Sequence, residues 1–135
     1  MVKIKQAASG LQKALKKGFR GFPVVTVAWY GPDNRRATKA VAGLVLAKDE
    51  APAEMERWFL PDEDTQGDLR RDKAVEEAIL AFARAHEART VAGREGIFGC
   101  PHEEGIDYPM GARCPSCPWW ADKDRFAVAG IAREP

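Results

Sequence analysis

No stretch of this chain is apolar for long enough to span a bilayer. Its longest apolar runs, around residues 24–30 and 40–47, fall well short of the roughly 20 residues that a spanning helix needs. The opening residues, Met1-Val2-Lys3-Ile4-Lys5-Gln6, are basic but lack the apolar stretch that follows in a secretory signal. Cysteine is scarce: there are three in 135 residues, an odd number that excludes a complete disulfide framework. Histidine is scarcer, with two. Internal repeats and low-complexity segments are missing, and the formal net charge is only +1. These absences predict a cytoplasmic protein, where thiols stay reduced and clustered cysteines serve as metal ligands.

What is present is an ordinary globular composition, 45% hydrophobic and 30% charged. The length suits a single domain, 1–135, that buries a real core. The small net charge is a cancellation. Residues 1–48 hold ten basic side chains against one acid, Asp33, and so carry +9, while residues 49–135 carry −8. Asymmetry of this kind points to an anionic partner or to complementary surfaces.

Hydrophobic periodicity predicts a helix over 4–19. Ile4, Ala8, Leu11, Leu15 and Phe19 recur at spacings of three and four and stack on one face, with the lysines and Arg20 opposite. Val24–Tyr30 is β-branched and aromatic, as a strand requires, and 38–46 and 55–60 read as two more. Gly31-Pro32-Asp33-Asn34 between the first two has turn chemistry and leads into Arg35 and Arg36. A second helix is predicted over 68–87, with Val75, Ala78, Ile79, Phe82, Ala83 and His86 as its buried stripe and Asp68 as its N-cap. A short fourth strand is expected at 90–92 and a last one at 125–128. The fold class that follows is α+β: a mainly antiparallel sheet, two helices on one face, and a C-terminal zinc-binding loop.

The chemistry lies in residues 100–117. All three cysteines and one of the two histidines fall there, in the pattern Cys100-x-His102-x11-Cys114-x2-Cys117. A Cys-x2-Cys pair with proline inside turns tightly enough for both sulfurs to meet one ion, and the eleven-residue loop lets Cys100 and His102 close the other side. Four ligands with no spare position predict one structural zinc per chain in a closed tetrahedral Cys3His site. Residues 93–120 then form a zinc-binding submodule, since this loop has too few aliphatic side chains to pack itself. Trp119 and Trp120 are placed at the seam between this submodule and the sheet.

The Cys114-Pro115-Ser116-Cys117 half resembles the knuckles of zinc ribbons and treble clefs, with Pro118 where those knuckles often have glycine. That resemblance covers this segment only and implies metal binding. His102-Glu103-Glu104 ahead of Cys114-x2-Cys117 also resembles the His-x-Glu…Cys-x-x-Cys signature of zinc deaminases, which would make Glu104 a proton shuttle. The sequence departs from it: Arg113 replaces proline, nine residues separate Glu104 from Cys114, and Cys100 fills the position an activated water needs. The element order over 4–87 resembles the double-stranded-RNA-binding domain. However, Asp68-Leu69-Arg70-Arg71-Asp72-Lys73 is mixed in sign where that family has a lysine-rich helix start.

No nucleophile–base pair, glycine-rich phosphate loop or open metal position marks an enzyme. The sequence therefore predicts a zinc-containing, non-enzymatic binding protein. Its partner would be RNA or DNA, met by Lys13, Lys16, Lys17, Arg20, Arg35 and Arg36. The alternative is a protein-interaction or assembly factor whose oppositely charged halves form complementary surfaces.

Overall fold

The computed structural model describes residues 9–128. Helix α1, Gly10–Lys16, begins in a capping box: the Ser9 hydroxyl accepts from the Gln12 N–H while the Gln12 side chain accepts from the Ser9 N–H, both at 3.0 Å. Residues 4–8 of the expected helix lie outside the described residues. At its other end the helix stops short of expectation, because Gly18 turns into the left-handed region at φ +73°. Leu11 and Leu15 reach the core as predicted. Phe19 does not: beyond the turn it is 69% exposed.

Strand β1, Val24–Tyr30, pairs antiparallel with β2, Lys39–Val45, which pairs antiparallel with β3, Glu54–Phe59. β4, Thr90–Ile97, joins the other side of β1 in parallel, giving the order β3-β2-β1-β4. A parallel neighbour needs a crossover connection, and helix α2, Lys73–Ala85, supplies it. The fold is α+β with a mixed sheet in which antiparallel pairs predominate, as expected. β4 is longer than the predicted three residues, so residues 93–97 belong to the sheet rather than to the metal loop.

Side-chain alternation divides the sheet into two faces. Val25, Val27 and Trp29 of β1 lie in register with Leu44, Ala42 and Ala40 of β2, and all six join Leu11, Ile79, Phe82 and Ala83 in one core. Val25 and Ile79 are among the largest side chains with no appreciable exposure. Each contributes roughly 1.5–3 kcal/mol of apolar burial. Tyr30, Lys39, Val41, Arg57 and Phe59 alternate onto the opposite face, which carries the metal loop.

Two capping details differ from the sequence reading. Asp68 caps a single 3-10 turn, Leu69–Arg71, and Asp72 is the residue that starts α2, accepting from the N–H groups of Ala74 and Val75. Asp68 is committed elsewhere, since it also accepts from the Ala37 N–H and pairs with Arg70 at 2.7 Å. At the other end of α2, His86 caps the helix, lies 4.7 Å from the Phe82 ring and pairs with Glu54 at 2.9 Å. The predicted strand at 125–128 is instead a short helix, α3, Arg125–Val128, with Asp124 accepting from the Phe126 N–H as it begins. This segment packs beside β4 instead of joining the sheet.

Burial alone would raise the Asp68 carboxyl. Hydrogen bonds from the Arg70 guanidinium and from the N–H groups of Ala37 and Arg70 outweigh it and hold the group below the usual carboxylate range. A depressed folded value means the contribution is complete above the unfolded value, near 3.9, and disappears as pH falls through the folded one. The stability gap between the native protein and Asp68→Asn, read by urea unfolding, should be widest at neutral pH and narrow below about pH 4. A gap that stays constant down to about pH 2.5 would show that this carboxylate does not stabilise the fold.

Candidate metal centre

The loop from Phe98 onward leaves the sheet where the parallel strands β1 and β4 end. Backbone bonds hold its base: the Phe98 N–H donates to Trp29 O at 2.7 Å and the Gly31 N–H to Gly99 O at 2.9 Å. Trp120 returns the chain to the same place, its indole Nε1–H donating to Gly31 O at 2.8 Å. Trp120 packs against the core, and Trp119 meets it edge-on at 4.9 Å with Lys123 over its outer ring.

Between these two anchors, Cys100, His102, Cys114 and Cys117 come together with all their ligand atoms within 4.8 Å of one another. The three sulfurs surround one nitrogen, His102 Nδ1, at 3.3, 3.3 and 3.5 Å. For a zinc-sized ion, with metal–sulfur bonds of about 2.3 Å and metal–nitrogen bonds of about 2.0–2.1 Å, a tetrahedron places sulfur and nitrogen roughly 3.5 Å apart. The donor set therefore fits a four-coordinate ion. The three thiols are free rather than disulfide-bonded. Burial pushes the Cys100 and Cys117 thiols up, and for Cys117 the neighbouring sulfurs push in the same direction. A divalent cation is what makes three adjacent thiolates favourable in such a place. The four residues the sequence singled out as ligands are thus the four that could hold a metal.

The acids of the loop do not orient the imidazole. Among the described residues no carboxylate hydrogen-bonds the His102 ring, and Glu104 is exposed. Glu103 faces the sheet, where one oxygen, Oε1, accepts from Lys39 Nζ at 2.9 Å and from Arg57 Nε at 2.7 Å. Those two cations hold its carboxyl below the ordinary range. Asp107 accepts from the Glu103 N–H at 2.7 Å and tightens the turn. Lys39 also donates to Pro101 O at 3.0 Å and lies against the rings of Tyr30 and Phe59, 5.7 Å from each. Its side chain is only 5% exposed. Lys39 thus ties the strand that bears it to the residues on both sides of His102. Sequence reading counted Lys39 as one more positive charge; its place at the edge of the turn, opposite Tyr30, was the available signal.

The six cations expected to act together are split. Lys13, Lys16, Lys17 and Arg20 are exposed, and Lys17 and Arg20 lie beside Thr90, where β4 begins. Arg35 and Arg36 follow β1, at the other end of its seven residues. Arg36 is also occupied: its guanidinium donates to Gly67 O and Asp64 O, both at 2.7 Å, and pins the acidic loop. The structure brings two residues not foreseen, Arg84 and Arg89, beside Lys17. They sit at the end of α2 and the start of β4, a juxtaposition that only the tertiary fold creates.

Protein-family models, curated proteins and solved structures offer no match to this chain. Among the described residues no helix is long and apolar enough to cross a membrane.

Replacing Lys39 by methionine keeps the bulk against Tyr30 and Phe59 but removes the donor to Pro101 and Glu103. The expected cost is about 1–3 kcal/mol in denaturant unfolding of the metal-loaded protein. An unchanged midpoint would show that the loop does not depend on this lysine.

Proposed function

We propose that this protein is an intracellular, zinc-stabilised nucleic-acid-binding module in which the metal is structural and the cations at one end of the sheet meet the phosphate backbone. The zinc assignment is supported by the donor set. Three thiolates and one imidazole suit a borderline-soft ion without geometric preference, and calcium or magnesium would require oxygen ligands. With Cys100 as fourth donor there is no open position for an activated water, so the bound ion would fold the loop rather than carry out hydrolysis or deamination. Zinc would supply charge neutralisation and a cross-link. Cys100 and His102 hold one side of it and Cys114 and Cys117 the other, with Glu103 and Lys39 fixing the assembly to the sheet. A reducing compartment keeps these thiols available.

The single observation that carries the nucleic-acid reading is the grouping of Lys13, Lys16, Lys17, Arg20, Arg84 and Arg89. All are exposed, and none forms an ion pair with another described residue. Lys39 and Arg57, by contrast, are taken up by Glu103, and Arg70 by Asp68. Unpaired cations of one sign at one end attract a polyanion and release its counterions on binding.

Two measurements test the two halves of the proposal separately. Purified protein should contain one zinc per chain by elemental analysis, and Cys114→Ser should lose the metal together with most of the stability of the loop. Zinc retained at full stoichiometry in that variant would refute the ligand set. Affinity for nucleic acid should fall steeply with salt, with a slope near −0.7 to −0.9 for each phosphate neutralised. Changing Lys13, Lys16, Lys17 and Arg20 together to glutamate should abolish binding. No binding even at low salt would leave the complementary-surface reading, in which a protein partner takes the charge.

A further inference from the structure

We propose that the turn Lys17-Gly18-Phe19-Arg20-Gly21-Phe22 and the groove beside it form a site for single-stranded nucleic acid, in which Phe19 stacks on an unpaired base and Lys17, Arg84 and Arg89 hold the flanking phosphates. This rests on the nucleic-acid reading above and specifies its ligand.

Phe19 is the starting observation. An aromatic ring left 69% exposed forgoes burial that a flexible loop would readily recover. Here the backbone prevents recovery. The Arg20 N–H donates to Thr90 Oγ1 at 2.8 Å, and the same hydroxyl donates to Gly21 O at 2.7 Å. Thr90 is itself buried at 4% exposure in the first position of β4, so the turn is fastened to the sheet. Gly18 and Gly21, at φ +73° and +112°, bend the chain on either side of Phe19 and Arg20 and project them outward. Phe22 meets the Phe19 ring edge-on, at 5.4 Å and 71°, which steadies the ring without covering both its faces.

The surroundings supply the rest. A groove of about 230 Å³ runs past Gly18, between the end of α1, the end of α2 and the start of β4. Lys17, Arg84 and Arg89 line it, and no acidic side chain is among the described residues that do. Lys13, Lys16 and Arg20 extend the positive field outside the groove. A fixed ring set among cations is the arrangement by which proteins hold single strands, because every base has a π-face and every linkage a phosphate. A duplex keeps its base faces stacked and inaccessible. Phenylalanine has no donor or acceptor with which to read a base edge from a groove. The site therefore favours unpaired strands, with little dependence on base identity.

The test uses the zinc-loaded full chain with fluorescent oligo-uridine and oligo-thymidine strands and a duplex of equal length, titrated over a range of salt. Either single strand or both should bind more tightly than the duplex, the two arms distinguishing an RNA from a DNA ligand. Phe19→Ala should weaken single-strand binding by roughly 5- to 150-fold while leaving the salt slope unchanged, and Phe19→Trp should restore it. Arg89→Gln, or Arg84→Gln, should instead reduce the slope by about one phosphate. Because Phe19 is exposed, zinc content and unfolding midpoint should be the same in both Phe19 variants. Duplex binding as tight as single-strand binding, or unaltered affinity in Phe19→Ala, would overturn this inference. If the four-fold glutamate variant still lost binding, the broader polyanion reading would survive that failure. No binding of any strand by the native protein would sink both.

Discussion

Everything beyond the sheet's last strand depends on the convergence of three sulfurs on one imidazole nitrogen. The segment that follows β4 has little with which to build a core. Its large apolar side chains Ile106 and Met110 are each about three-quarters exposed, at 76% and 74%. The ordering of so long a loop costs on the order of 1–2 kcal/mol for each residue fixed. Trp120 and Phe98 pack at its two ends, but between them apolar burial offsets little of that cost. A structural zinc can offset it, with apparent binding energies of roughly 10–16 kcal/mol near neutral pH in small modules. A metal bound by these four residues would therefore substitute energetically for a core that the loop does not possess.

A cross-linked loop still has to be held in place on the sheet, and one buried lysine does most of that. Lys39 sits where β2 begins, with its ammonium 2.9 Å from Glu103 and 3.0 Å from Pro101 O. A lone buried ammonium would be costly. Its burial is tolerable because the carboxylate, the carbonyl and two aromatic faces surround it, and these partners come from the metal loop and the sheet alike. Arg57 of β3 shares the same carboxylate oxygen, so adjacent strands grip one residue of the loop. Glu103 directly follows His102, one of the four residues that could hold a metal, which joins the geometry of that cluster to the register of the sheet through a single peptide bond.

How much of this could be read in the sequence depended on how local each signal was. β1 was legible to the residue, because Val24–Tyr30 combines β-branched and aromatic side chains between a proline and a Gly-Pro turn. The ligands were legible because cysteine is rare and all three lie within eighteen residues of one another. The end of α1 was not, since periodicity placed Phe19 on the apolar stripe and gave no weight to Gly18 as a stop. Asp68 and Asp72 both look like caps, and only the Ala37 and Arg70 contacts decide that the first serves the 3-10 turn. Lys39, Arg57, Arg84 and Arg89 were opaque for a different reason: their roles come from strand pairing and from α2 crossing the sheet, and no window of sequence contains those partners.

The sheet also explains why the charge is divided along the chain. β1 and β4 run parallel, so both begin at one end and finish at the other. The first end receives the end of α1, the Lys17–Phe22 turn, Arg84 and Arg89. The second receives the metal loop, whose Glu103 needs the cations of β2 and β3. Cations from the first part of the sequence consequently serve two purposes. Lys39, which faces the metal loop, is taken up by Glu103, whereas Lys17, Arg84 and Arg89 form no ion pair with a described residue. A net charge near zero is compatible with a local cationic groove, because Lys17, Arg84 and Arg89 line one that no acidic side chain among the described residues lines.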